Sequence, residues 1–337
     1  MKVLHMDLGA DSYDIVIERG ALQKAGEYLD LDRKVLVVTD DGVPKQYAQT
    51  VAALAKNSII VTVPQGEDSK SIATYSALLS RMLKEGFSRR DAVVAVGGGV
   101  VGDLAGFVAA SYMRGVDFYN IPTTVLSQVD SSIGGKTAVN LDDIKNIVGA
   151  FYQPKKVLVD LDLLATLDDR LVSEGLAEAL KMGLTSDAEL FELFDKGNIN
   201  KNMDEIITRS LMIKKNVVEQ DEKEQGLRKI LNFGHTIGHG IESYEERHGL
   251  YHGECVSIGM IPMVSDELRP RLIRILESLR LPTAVDLSAD EIFEAMTHDK
   301  KGEGDNVTVI AVPAPGKYEM NKVRFKDLYP MIEKITK

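Results

Sequence analysis

The sequence predicts an α/β chain in two parts: a Rossmann-like, doubly wound N-terminal domain over residues 1–160 and a mostly α-helical C-terminal domain over 161–337. Three observations predict it. Short β-branched runs alternate with helix-spaced apolar segments in the first part, the grammar of βαβ units. From about residue 161 the apolar spacing becomes helical almost throughout. A chain of 337 residues with 44% hydrophobic content is also long enough for two cores at about 150 residues each.

Taken in order, residues 34–40, 58–64, 91–97 and 156–160 are continuous apolar runs, as in strands buried on both faces of a parallel sheet. Between them, 45–55 and 71–84 space their apolar residues as amphipathic helices. In the second part, helices are expected over 173–182, 188–194, 203–218, 228–246 and 256–267. Residues 306–313 read as a late strand that forms a hairpin with 318–321. No internal repeat, low-complexity run or flexible linker interrupts the chain.

Forty basic residues against 51 acidic ones give a net charge of −11, which disfavours a nucleic-acid or anionic-membrane partner, since both require a basic footprint. An anionic small molecule would have to be held by a local basic cluster. The most apolar stretch, 93–110, is broken by glycines and by Asp103, so no membrane span is expected. The single cysteine, Cys255, cannot form an intrachain disulfide and reads as a small buried hydrophobe. With no apolar signal-like run in Met1-Lys2-Val3-Leu4-His5-Met6-Asp7, the expected location is the cytoplasm.

Two features carry chemistry. The first is Gly97-Gly98-Gly99-Val100-Val101-Gly102-Asp103, a G-x-G-x-x-G pattern placed directly after a strand and before a helix. Such a turn lets a pyrophosphate approach the backbone and meet the free N–H groups of the helix start. It lies in a late βα unit, without an acidic strand end about twenty residues on, so it departs from the usual dinucleotide arrangement; a tight turn for close helix packing is the alternative. Asp40, at an early strand end, could accept both ribose hydroxyls or simply end its strand. Ser131-Ser132-Ile133-Gly134-Gly135-Lys136-Thr137 resembles the end of a phosphate-binding P-loop, but Asp130 occupies the first glycine position and excludes it.

The second feature is a polar stripe. On a helix over 228–246, Arg228, Asn232, His235 and His239 fall within about 60° of one another, opposite Ile230, Phe233, Ile237, Ile241 and Tyr244. Histidines at i and i+4 can ligate one metal ion together, or one can ligate while the other moves protons. A third ligand is available in two places. His252 opens a further helical segment, and Glu174, Glu178 and Lys181 share a helix face. Glu plus two His is a usual set for a catalytic zinc with one open position.

The residues resemble the 3-dehydroquinate synthase family, one of the sugar phosphate cyclases, from about residue 34 to 312. The resemblance is carried by the glycine turn 97–103, Pro122-Thr123-Thr124, Asp130-Ser131-Ser132-Ile133-Gly134-Gly135-Lys136, Leu231-Asn232-Phe233-Gly234-His235-Thr236-Ile237-Gly238-His239 and His252-Gly253-Glu254. It implies a carbon–oxygen lyase that uses NAD and a divalent metal, zinc or cobalt, in a homodimer. The implied reaction turns 3-deoxy-D-arabino-heptulosonate 7-phosphate into 3-dehydroquinate through transient oxidation, phosphate elimination, re-reduction and aldol closure. Glu178, His235 and His252 would be the metal ligands. Asp40, Glu67, Lys70, Gly98, Gly99, Asp103, Thr123 and Thr124 would contact NAD. Arg114, Asp130, Lys136, Lys145, Asn146, Lys181, Lys214, Arg228, Asn232, His239 and Lys300 would surround the anionic sugar phosphate, and Lys136, Lys181, Lys214, Arg228, Asn232 and His239 among them would take part in catalysis.

Two departures from the family pattern stand out: Gly42 replaces the usual Asn, and residues 166–171 lack the usual Pro and Glu. Lys301 adjoins Lys300 and competes with it for the phosphate. The alternatives are a 2-deoxy-scyllo-inosose or valiolone-type cyclase, against which Asn232, His239 and Lys300 together argue, and a metal-dependent polyol dehydrogenase, which would need no phosphate-binding shell. A nucleotide-sensing protein with a structural metal would need a fourth good ligand.

Overall fold

The computed structural model describes residues 1–142, 144–244, 248–298 and 305–336. Lys300, expected at the substrate phosphate, lies outside them, as does Lys301. The chain divides into two compact units, Met1–Leu167 and Asp168–Lys337.

In the first unit the elements run β1 (Lys2–Met6), β2 (Tyr13–Ile17), α1 (Ala25–Tyr28), β3 (Lys34–Asp40), α2 (Lys45–Leu54), β4 (Asn57–Val63), α3 (Ile72–Lys84), β5 (Ala92–Gly97), α4 (Gly99–Ser111), β6 (Asp117–Pro122), β7 (Lys136–Leu141), β8 (Ile144–Phe151) and β9 (Lys156–Val159). Seven strands form one sheet in the order β1-β2-β9-β6-β5-β3-β4, parallel except for the β1–β2 edge pair. Alternate residues feed opposite faces. Val35, Val37, Val94 and Val96 pack with Tyr47, Ala48 and Val51 of α2. Leu36, Val38, Val93 and Ala95 pack with Leu78 and Met82 of α3 and with Val101, Leu104 and Val108 of α4. Helices on both faces make the sheet doubly wound.

From β3 the chain steps outward to β4 and then returns to β5 on the other side of β3. This reversal makes the carboxyl ends of β3 and β5 a topological switch point, where open α/β sheets hold ligands. The two ends are Asp40 and the glycine turn. β4 is the sheet edge and exposes alternate residues, which corrects the expectation that 58–64 is buried on both faces. β6, the β1–β2 pair and the β7–β8 hairpin lie outside the expected strands; β8 is largely exposed, so no apolar run announces it.

The second unit contains α5 (Asp169–Ser186), α6 (Ala188–Asp195), α7 (Ile199–Gln220), α8 (His235–Glu242), α9 (His252–Met260), α10 (Arg269–Ser278), α11 (Ala289–His298), the hairpin β10 (Asn306–Ala314) with β11 (Lys317–Arg324), and α12 (Tyr329–Ile332). Two expected helices are shorter than their apolar pattern. Residues 228–246 do not form one helix: a 3-10 segment, Leu227–Asn232, ends at Phe233 (ψ 129°), Gly234 turns left-handed (φ 78°), and α8 begins at His235. Arg228 and Asn232 therefore do not share a helix with the histidines. The 256–267 pattern also stops at Met260, followed by a short 3-10 turn that contains Pro262, whose missing N–H cannot continue an α-helix.

Close backbone approach sets the geometry here. A Cβ added to Gly234 would stand 2.7 Å from Met260 Cγ and 2.9 Å from the Val256 carbonyl oxygen. One on Gly259 would stand 2.1 Å from the Gly234 carbonyl oxygen, and one on Gly253 2.1 Å from the Glu174 carbonyl oxygen. Thus α9 touches the start of α8 through one glycine and α5 through the other. Gly259→Ala is expected to cost about 1–3 kcal/mol or more, because the clash is with backbone and cannot be relieved by a rotamer change. Gly26→Ala, whose added Cβ would have its nearest neighbour at 3.8 Å, should stay within about 0.5 kcal/mol of the parent in denaturant unfolding.

Candidate active site

Three helices of the second unit converge on one carboxylate. Glu178, in the middle of α5, is fully buried, and neither of its oxygens has a hydrogen-bond partner. Lys181, one turn along α5 and equally buried, sets its ammonium against Oε2. Against Oε1 stand His235 Nε2 and His252 Nε2, each at 3.7 Å. The ligand atoms of Glu178, His235 and His252 all lie within 4.8 Å of one another. Ligands about 2.0–2.2 Å from a tetrahedral cation stand roughly 3.3–3.6 Å apart, so small side-chain movements would close this set around one ion.

The outer partners of both imidazoles are in place. His235 Nδ1 bonds the Phe233 carbonyl at 3.1 Å, a carbonyl aimed by the break at Gly234. His252 Nδ1 pairs with Glu242 Oε2 at 3.0 Å. With each Nδ1 so engaged, each Nε2 is left to face Glu178. His239, exposed one turn after His235, completes a triangle of imidazoles with ring centroids 5.2–5.9 Å apart. The start of α9 is fixed from behind. Glu254 accepts the Tyr251 N–H at 2.8 Å as part of a capping box, and Arg170 Nε and Nη2 hold its two oxygens, each at 2.7 Å. Asp168, part of the segment that departs from the family pattern, caps α5 by accepting the Arg170 N–H at 2.8 Å.

The electrostatics follow from burial among like and unlike charges. Burial alone would raise the Glu178 carboxyl, but Lys181 and the two imidazoles overcome it and hold the group well below the usual carboxylate range. Burial, aided by the Lys181 ammonium, pushes His235 well below an ordinary imidazole. Burial opposes charge on His252 as well, yet the neighbouring Glu178 and Glu242 carboxylates push it up to about 10. Glu174, one turn before Glu178, is pushed up to about 7 by burial.

The cationic residues of this unit are not all at the surface. Lys214 on α7 and Arg228 on the 3-10 segment are buried. Asp221 gathers the N–H groups of Gln225, Gly226 and Arg228 at 2.7–2.9 Å and so fixes the backbone from which Arg228 projects. Asn232 is exposed, with its amide donating to Glu224 Oε1 at 2.6 Å.

In the first unit, β5 runs through Gly97 into α4, with Gly98 as its N-cap. A Cβ on Gly98 would meet Thr124 Cγ2 at 3.2 Å, and one on Gly99 would meet Ser131 Oγ at 3.1 Å. The Thr123 N–H donates to the Gly97 carbonyl at 3.0 Å, and Thr124 Oγ1 accepts the Ser127 N–H at 3.1 Å. Asp40 Oδ1 takes the Gly42 and Val43 N–H groups at 2.9 and 3.1 Å, while burial raises its carboxyl above the ordinary value. The Gln65 side chain fills the space that a Gly42 side chain would need. Lys70, also buried, reaches Asp103 Oδ2 at 2.8 Å and Glu67 Oε1 at 3.4 Å.

Arg114 follows α4 at a left-handed φ of 69°, Asp130 lies in a one-turn π segment, Lys136 opens β7, and Lys145 and Asn146 lie on exposed β8. The structure thus brings the three expected metal ligands together and joins Glu67, Lys70 and Asp103 in one network. Sequence reasoning missed Glu242, although a carboxylate three residues after His239 on the same helix was a usable signal. It also assigned no role to Arg170 and Glu254, which meet across 84 residues, or to Asp221, which acts on backbone N–H groups four to seven residues on.

Two family models, described as 3-dehydroquinate synthase N-terminal and 3-dehydroquinate synthase C-terminal, match residues 60–174 and 175–302. The chain belongs to the 3-dehydroquinate synthase family. The family's curated members include the 3-dehydroquinate synthase of Streptococcus suis, 38% identical over 98% of this chain and 99% of that one. That of Enterococcus faecalis is 43% identical over 93% of each. Among solved structures, a 2-deoxy-scyllo-inosose synthase complexed with carbaglucose-6-phosphate, NAD+ and Co2+ is similar at TM-score 0.89 and 27% identity, covering 99% of this chain and 100% of that one. A protein from Sinorhizobium meliloti described as a probable glycerol dehydrogenase shares the fold alone, at TM-score 0.62 and 18% identity over 95% of each chain. Among the described residues, no helix of this 3-dehydroquinate synthase family member is long and apolar enough to cross a membrane.

Proposed function

We propose that the chain is a 3-dehydroquinate synthase, a carbon–oxygen lyase that converts 3-deoxy-D-arabino-heptulosonate 7-phosphate to 3-dehydroquinate and phosphate. The observation that carries the reading is the Glu178–His235–His252 cluster, with its fully buried carboxylate, in a chain similar along nearly its whole length to enzymes named for this reaction. The valiolone-type and scyllo-inosose cyclases are more distant at 26–27% identity, and the dehydrogenases share only the fold. We place the activity in the cytoplasm, in keeping with the single, buried Cys255, and in a homodimer on the family resemblance.

One carboxylate and two imidazoles, His252 giving up its Nε2 proton to the ion, suit zinc or cobalt with an open position, and NAD suits the switch-point turn; when bound, the cation would polarise a substrate hydroxyl and NAD would reversibly accept the hydride from the carbon that bears it. The chain's own residues do the rest. Asp40, with Oδ1 occupied by backbone, offers Oδ2 to a ribose diol, and the Gly98–Gly99 backbone admits the pyrophosphate at the start of α4. Lys181 and Arg228, buried and held in place, present fixed positive charge to substrate anions without reorganising during the reaction. Lys214 adds a third buried cation, and Lys136, Lys145 and Arg114 offer exposed ones. His239 is the exposed imidazole beside the cluster, placed to exchange a proton at a ring nitrogen.

Three outcomes test this. His235→Ala should lose stoichiometric zinc while keeping its circular-dichroism spectrum, and Glu242→Ala should weaken zinc about 10–100-fold by removing the acceptor for His252 Nδ1; tight zinc in the first variant would remove His235 from the ligand set. Lys136→Ala should raise the substrate requirement or abolish turnover while NAD affinity stays within a few fold. If instead NAD binding collapses and substrate binding survives, the two subsites have been exchanged. Finally, substoichiometric NAD should support many turnovers, each releasing one phosphate, with NADH absorbance near zero. NADH accumulating in step with substrate loss would replace the cyclase with a polyol dehydrogenase.

A further inference from the structure

The β7–β8 hairpin carries Lys136, Lys145 and Asn146, yet its tip has little burial of its own: Leu141, Ile144 and Ile147 are all exposed. Its base is secured by packing. Val139 lies in the core with α4, and a Cβ on Gly106 of α4 would stand 2.4 Å from Thr137 Cγ2 of β7. The tip is held differently, by Asn140.

Asn140 sits where the β7–β8 register shifts, between Val139 and Leu141. Its backbone N–H donates to the Lys70 carbonyl at 2.7 Å. Its side-chain Oδ1 accepts the Asn146 N–H at 2.8 Å, and its Nδ2 donates to Glu67 Oε1, also at 2.8 Å. The orientation of this amide is fixed by chemistry, because a backbone N–H can only donate and a carboxylate only accept. Glu67 Oε1 in turn meets Lys70 Nζ, which reaches Asp103 on α4. Asn146 adopts φ 59°, a left-handed conformation open to Asn, and its N–H is fixed there by the Asn140 amide oxygen.

We propose that Asn140 is a positioning residue that couples the nucleotide subsite to the substrate subsite: NAD contacts to Glu67, Lys70 and Asp103 order, through Asn140, the hairpin tip that presents Lys145 and Asn146. The proposal rests on the reading of those residues as NAD and substrate contacts. One small amide spans the two sets, so a ligand that fixes Glu67 also fixes the acceptor on which the Asn146 backbone depends. By linkage, the substrate strengthens NAD binding to the same degree.

Asn140→Asp separates the two halves of this link. The carboxylate keeps an acceptor for the Asn146 N–H but sets a negative charge against Glu67, whereas Asn140→Ala removes both bonds. Amide hydrogen exchange is measured on the metal-loaded protein with and without NAD. In the parent, NAD is expected to slow exchange both at 97–104 and at 144–151. In Asn140→Asp, protection at 97–104 should persist while the NAD-linked slowing at 144–151 falls at least fivefold. At saturating NAD the substrate KM should rise about tenfold with a smaller change in kcat, within the usual range for coupled sites. Equal NAD-linked protection of 144–151 in parent and Asn140→Asp would overturn the coupling, as would its absence from the parent. No NAD-linked protection at 97–104 in the parent would instead overturn the nucleotide reading, and this inference with it. If Asn140→Ala proves too unstable to measure, the near-isosteric Asp variant carries the test alone.

Discussion

The second unit is organised around one constraint: a carboxylate with no exposed surface must be surrounded by enough positive charge and donor nitrogen to remain ionised. Glu178 meets it with Lys181 from its own helix and with two imidazoles from α8 and α9. Those imidazoles arrive only because the helices approach backbone to backbone at Gly234, Gly253 and Gly259. A methyl group at any of the three would meet a carbonyl oxygen at 2.1–2.9 Å and push a ligand-bearing helix away. Close packing here is thus the means by which three residues distant in sequence become one donor set. Removing one member of such a set leaves a buried charge without compensation, a state that proteins avoid.

How much of this was legible in the sequence depended on whether the signal was local. β3 and β5 announced themselves, because strands covered by helices on both faces must be apolar throughout. β8 did not, being mostly exposed, and β4 misled, because an edge strand can carry an apolar run and still face water. The 228–246 segment is the instructive case. Its apolar residues repeat at helical spacing through Gly234, and nothing local says that the glycine is left-handed or that a side chain there would meet the Val256 carbonyl of another helix. His235 and His239 nevertheless share a helix face, and the choice of Glu178 and His252 over other candidates came from resemblance to a family rather than from spacing. Glu242 and Arg170 act one step behind the ligands, and long-range pairs such as Arg170 with Glu254 leave no periodic trace.

In the first unit the glycine turn looked misplaced for a dinucleotide site, since it follows a late strand instead of the first one. The topology removes the objection. What matters is the strand reversal, and β3 and β5 flank it, with Asp40 ending one and Gly97 the other. Gly42, one of the departures from the family pattern, is accommodated in the same way: its N–H still binds Asp40, and Gln65 occupies the space of the missing side chain.

Burial of charge adds an argument that composition conceals. An acidic chain has no general need to hide lysines, and hiding one costs several kcal/mol unless something compensates. Among the described residues the buried lysines and arginines are Lys70, Lys181, Lys214 and Arg228. Each stands at a position that the family resemblance assigns to NAD or to substrate. A structural ion pair could just as well be replaced by apolar side chains of similar volume, often with a gain in stability. Lys70 is paired with Asp103 and Glu67 and Lys181 with Glu178, so these two also serve local structure; that all four buried cations stand at such positions, and no other described lysine or arginine is buried, is in keeping with a further role toward anions.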